Sequence, residues 1–263
     1  MHHLKLIARF AITSAQNELA YRANFWISLL HSLLNLATGV MGVAVLFGQV
    51  DTVRGWDLPA AMAILGVYLT IAALRNLFIG PSLDALAGMD GEIWTGTFDF
   101  TLLHPLDPQF QASFRQWRPL ALVDLALGLG VLGAATMRLE QAPTPAHLVA
   151  FLIALAIGVA ILYAILLAFT ALVLWSPGFL FTWVFDAIFQ MARYPTALYP
   201  GWLRLVLTWV VPVGIMTTVP AHALTGDLSP GMFAASGVLA VAFLAGASAL
   251  FRLGLRRYSS ASS

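Results

Sequence analysis

The chain has 263 residues, 60% of them hydrophobic and 10% charged, with a mean hydropathy of +0.86 and a formal net charge of +1. An ordinary soluble domain is roughly 45–50% apolar and about 25% charged, so this composition excludes a water-soluble globule and marks an integral membrane protein. The near-neutral balance gives no basis for a nucleic-acid partner, and the absence of cysteine excludes disulfides, thiolate metal sites and cysteine nucleophiles.

At the N-terminus, Leu4, Ile7, Ala8, Ala11, Ala15 and Leu19 recur at helical spacing, with Lys5, Arg9, Thr13 and Gln16 opposite. Residues 1–23 therefore read as a helix lying in the membrane interface, apolar side down. An anchor and a coupling element both fit that pattern. The segment does not resemble the short apolar core of a cleavable leader, so none is expected.

A helix needs about 20 apolar residues to cross roughly 30 Å of hydrocarbon. Six runs meet or approach that length, at residues 24–47, 58–78, 119–135, 147–175, 202–224 and 231–251. The expected fold class is an all-α integral membrane protein with six transmembrane helices in a single domain spanning 1–263.

Between the second and third runs lies the longest polar interruption, from Gly80 to Trp117, including "GTFDFTLLHPLDPQF". It carries Asp84, Asp90, Glu92, Asp99 and Asp107, and Pro105 and Pro108 end any helix there. Two readings stand: a compact protrusion of short helices that a partner grips, or a solvated loop. In the third run, Asp124 sits a few residues from the end and reads as an interfacial or paired acid rather than a proton carrier. Gly128, Gly130 and Gly133 suit close helix contact. The stretch from Ser176 to Trp202 is apolar but divided by Pro177, Pro195 and Pro200 and interrupted by Asp186 and Arg193. It reads as an interfacial helix followed by a bent return into span five. Pro212 and Pro220 predict that this span is kinked or broken, lining a cavity or serving packing.

Eleven of the 13 basic residues fall on one side of this arrangement: Lys5, Arg9, Arg22, Arg75, Arg115, Arg118, Arg193, Arg204, Arg252, Arg256 and Arg257. Arg54 and Arg138 fall on the other, so both termini and the acidic segment are expected in the cytoplasm. There is no Walker-type phosphate loop, no His-Glu-x-x-His helix and no Gly-x-Ser-x-Gly turn, and the six histidines are scattered. No catalytic chemistry is expected of this chain.

The order of an amphipathic first helix, "AYRANF", the Gly96/Asp99/Leu102/Pro105 run and the Tyr194/Pro195/Pro212/Pro220/Ala221 run resembles the permease subunit of an ABC-2-type ABC transporter, in the six-span bacterial branch. His104 stands where relatives often carry arginine. The resemblance implies a coupling helix between spans two and three, with Asp90, Glu92, Thr97, Asp99 and His104 contacting an ABC ATPase. It implies that Arg9 and Arg22 belong to an interfacial connecting helix. It also implies a permease dimer, identical or paralogous, in a bacterial cytoplasmic (inner) membrane. Such a dimer exports a hydrophobic or amphipathic compound, and the ATP and magnesium are used by the partner ATPase. A six-span substrate-capture subunit of a vitamin-uptake system is the alternative; those chains are usually shorter and lack the acidic proline-punctuated segment.

Overall fold

The computed structural model describes residues 2–19, 22–176 and 181–258. Ala20, Tyr21 and Pro177 lie outside them. In chain order the helices are α1 (His2–Leu19), α2 (Arg22–Phe47), α3 (Leu58–Leu74), α4 (Gly80–Ala87), α5 (Glu92–Thr95), α6 (Phe98–Leu102), α7 (Pro108–Phe114), α8 (Ala121–Thr136), α9 (Pro145–Val173), α10 (Phe181–Gln190), α11 (Gly201–Leu205), α12 (Val213–Thr225) and α13 (Pro230–Arg257). A two-residue hairpin, β1 (Thr52–Val53) and β2 (Trp56–Asp57), joins α2 to α3. Its central residues, Arg54 at φ 49° and Gly55 at φ 84°, both take the positive φ of a type I′ turn.

The helix starts follow from local chemistry. Asp57, Thr144 and Ser229 each accept a backbone N–H three residues on and precede a proline in the first turn, which begins α3, α9 and α13. Helix α3 forms the centre, buried from Ala61 to Ala73 with few interruptions. It meets α8 backbone to backbone. A Cβ on Gly66 would come within 2.8 Å of the Leu132 backbone, and one on Gly128 within 2.8 Å of the Thr70 nitrogen. The expected small-residue contact is thus real at Gly128 alone; Gly130 and Gly133 have nothing within 4 Å, and the missing partner is Gly66.

Among the described residues, four helices are long and apolar enough to cross a membrane: Asn24–Phe47, Leu58–Thr95, Pro145–Val173 and Pro230–Arg257. Helix α8 is shorter and apolar, and Gly201–Val210 with Val213–Thr225 form a pair bent by 89°. We call the end carrying α1 and residues 80–117 proximal, and the end carrying the hairpin and residues 226–229 distal.

Residues 181–225 depart from the expected arrangement. Asp186 of α10 pairs with Arg75 near the proximal end at 2.7 Å. The Phe189 ring then packs 5.0 Å from Tyr68, and the Arg193 guanidinium lies 5.1 Å over that same ring. At the distal end, Arg54 donates to the carbonyls of Ala197 at 2.7 Å and Tyr199 at 3.4 Å. The connection from α9 therefore traverses the whole bundle instead of staying at the proximal end. Residues 202–224 do not cross it: Arg204 is distal, donating to Ala197 at 2.8 Å, and Gly226 packs on His147 beside the start of α9. Between them the chain dips inward and turns back at Pro212. This corrects the expected span five, and with it the placement of Arg193 and Arg204 among the proximal basic residues. The remaining basic residues still favour the proximal end.

Pro195, Pro200 and Pro212 prevent a regular helix through this traverse. Backbone groups at such depth must find partners inside the protein. Side chains supply them: the Tyr199 hydroxyl donates to the Met191 carbonyl at 2.8 Å, and the fully buried Thr217 donates to that of Ala192 at 3.1 Å. Pro220, by contrast, sits within α12 without ending it.

Candidate coupling segment

The proximal segment begins with a backbone exchange. Helix α3 passes through a π-helical turn, Arg75–Ile79, into α4. Pro81 has no N–H to bond the Leu77 carbonyl four residues back. The Arg118 N–H takes that acceptor instead, at 2.8 Å. Ser82 then donates to the Gln116 carbonyl at 2.8 Å and accepts from the Gln116 N–H at 3.0 Å. From α1, Ser14 accepts from the Trp117 N–H at 3.2 Å and Glu18 from the Leu120 N–H at 3.0 Å. The free amides that precede α8 are thus satisfied by α1, the α3–α4 rod and the Ser82 side chain. The polar link from α1 to the bundle runs through Ser14 and Glu18. Arg9, singled out in the sequence, is exposed; the Arg22 side chain lies outside the described residues.

Beyond α4 the chain folds into a compact hairpin of short helices. Gly96, at φ 70°, ends α5 in the left-handed region that favours glycine. Asp107 caps α7, accepting from the Phe110 N–H at 2.9 Å, with Pro108 in the first turn. Inside the hairpin, Glu92 pairs with Arg115, Thr101 donates to the Glu92 carboxylate at 2.6 Å, and Arg115 donates to the Thr101 hydroxyl at 3.1 Å. Phe98 packs edge-on against Tyr258, just past α13, at 5.2 Å. The Asp99 carboxylate faces the same tyrosine, whose phenol pKa is raised by burial first and by that carboxylate second.

Helix α7 ties the hairpin to two long spans. Gln109 donates to the Tyr163 hydroxyl of α9 at 3.3 Å and to the Ser248 hydroxyl of α13 at 3.0 Å. Ser113 shares a 2.7 Å hydrogen bond with Tyr163. A displacement of the hairpin therefore acts directly on α9 and α13.

The five residues expected to meet a partner separate into two groups. Asp90, Thr97 and His104 are exposed, with His104 Nδ1 2.9 Å from the Phe100 carbonyl. Glu92 and Asp99 are only partly exposed and serve contacts within the protein. The sequence reading missed the apolar tip: Met89 is 61% exposed, Trp94 46%, Phe100 67% and Leu103 80%. Its signal lay in helical spacing. Phe98 and Thr101 share the buried side of α6, so Phe100 and Leu103, offset by two residues, share the open side.

A family model described as ABC-2 family transporter protein matches residues 33–262. No curated protein and no solved structure matches the chain. The match takes in α2 from residue 33 onward, the other long apolar helices, the proximal hairpin and the bent distal pair. The chain belongs to the ABC-2 family: it is the multi-pass membrane permease of an ABC transporter, the component that works with a separate ABC ATPase subunit.

Proposed function

We propose that this permease exports a hydrophobic or amphipathic compound from a bacterial cytoplasmic membrane, working as one half of a permease dimer, identical or paralogous. The chain crosses the bilayer six times, by α2, α3, α8, α9, residues 181–199 and α13, with both termini in the cytoplasm. An ATPase docks on the hairpin tip, where Asp90, Thr97 and His104 border Trp94, Phe100 and Leu103. Glu92 and Asp99 hold the hairpin's shape behind that contact. Export rather than uptake follows the family resemblance, and the surplus of basic residues at the proximal end supports the orientation.

The observation that carries this reading is the tip itself. Phe100 and Leu103 are 67% and 80% exposed on a segment that is otherwise hydrogen-bonded down to the spans. Exposed apolar clusters rimmed by polar residues mark interaction sites. A rigid contact of this kind lets ATP binding in the partner, with its magnesium, bias two permease conformations.

The double variant Phe100→Asp with Leu103→Asp tests it. Because both side chains already face outward, the variant is expected to insert and melt like the wild type. It should fail to retain the ATPase on affinity purification, and transport-coupled hydrolysis should fall to the rate of the isolated ATPase. Wild-type retention and hydrolysis in this variant would place the docking site elsewhere.

A further inference from the structure

Arg193 is a cation held at the middle of the bundle. Its guanidinium lies over Tyr68, near the midpoint of α3, and one of its nitrogens donates to the Asn35 side chain, near the midpoint of α2. Its Nε is buried without a hydrogen-bond partner, and no carboxylate among the described residues forms a salt bridge with it. Asp124 forms no salt bridge with Arg193; together with Asn35, Ser32 and Leu69 it lines a cavity of about 20 Å³ whose lining does not include Arg193. An unneutralised charge at this depth is costly, and such residues face protein interior or a polar path and mark ion or substrate routes. Arg193 is also not sealed in: it is half-buried, so part of it reaches the open surface.

The surface beside it is unusual for a span that should face lipid. On α2, His31, Asn35 and Thr38 recur at helical spacing and form a polar stripe; His31 and Thr38 are exposed and Asn35 is half-buried. The rest of the exposed face is apolar, with Trp26, Ile27, Leu30 and Leu34. An apolar wall with a polar stripe and one cation at mid-depth that has no ion-pair partner among the described residues complements a molecule with a long apolar body and an anionic head.

We propose that Arg193 binds the anionic headgroup of the transported compound, which is therefore an amphiphile bearing a carboxylate, sulfate or phosphate. The His31/Asn35/Thr38 stripe lines its path. The proposal rests on the export reading above but is tested apart from it, because binding requires neither ATPase nor transport.

The probe is oleate, with oleyl alcohol as its uncharged match, titrated against the full-length permease in phosphatidylcholine nanodiscs. The wild type is expected to prefer oleate. Arg193→Gln should weaken oleate binding by about tenfold or more, the loss expected when a charged hydrogen-bonding partner is removed at a partly buried site, and leave oleyl alcohol unchanged. Arg193→Lys should retain most of the preference. The idea is overturned if the wild type binds both probes equally, a measurement that needs no variant to fold. It is overturned as well if folded Arg193→Gln keeps its preference for oleate, or loses both probes alike. Oleate binding through Arg193 without ATP-driven release would refute export and leave the site standing.

Discussion

Two regions interrupt the helical bundle with prolines, and they solve the resulting problem in opposite ways. In the proximal hairpin, Pro105 and Pro108 fall among acids and hydroxyls, and the polar side chains bond one another while apolar side chains at the tip are pushed outward. In the stretch from the traverse to the distal turn, Pro195, Pro200 and Pro212 fall among apolar residues, and isolated side-chain donors, from Tyr199 within it and from Arg54 and Thr217 elsewhere in the chain, reach its carbonyls. The difference teaches that prolines announce only that backbone acceptors are released. What decides the structure is the source of the donors that take them, and how much water is near.

That contrast can be broken by a matched pair of substitutions. Thr217→Val removes the side-chain hydrogen bond to the Ala192 carbonyl, between residues that are 0% and 1% exposed. The orphaned acceptor should cost about 2 kcal/mol, read as a lower melting temperature of the purified permease. Thr101→Val makes the same chemical change in the hairpin, where Glu92 and Arg115 keep each other and water is close. It should cost about 1 kcal/mol by the same measurement. Equal losses would mean that the two regions share one kind of internal environment, and a reversed order that the hairpin is the drier of the two. The smallest effect belongs to His104→Ala, at the exposed rim: melting should change by less than about 0.5 kcal/mol, while ATPase retention falls measurably. Unchanged retention would remove His104 from the contact and leave the apolar side chains to carry it.

Much of this was legible in the sequence because lipid imposes a simple rule. Spans must be long and apolar, so α2, α3, α9 and α13 fall close to the predicted boundaries, and the short helices of the hairpin follow from proline positions. The traverse was not legible. Its residues 191–199 are too short and too irregular to register as a span, and what holds them across the bundle comes from Arg54, Tyr68, Asn35 and Thr217, up to 158 residues distant in sequence. Hydropathy instead favoured residues 202–224, of which α12 is apolar because it is buried among the other helices, while Trp202, Leu205, Trp209 and Val210 before it are apolar and exposed. In the hairpin, charge drew attention to Glu92 and Asp99. Charges there are partly withdrawn into internal contacts, and the apolar residues at the tip appear in no tally of ionisable groups. Gly66 was missed for a related reason: a single glycine in a span has no meaning until the helix opposite is known.

The Pro81 exchange has a consequence for how force would travel. Because a neighbouring strand of chain occupies the released Leu77 oxygen, the two rods it joins share a weld at the very place where a π-turn would otherwise act as a flexible elbow. A torque applied below that weld is handed to both rods together. The imperfection in one helix is what makes the pair stiff.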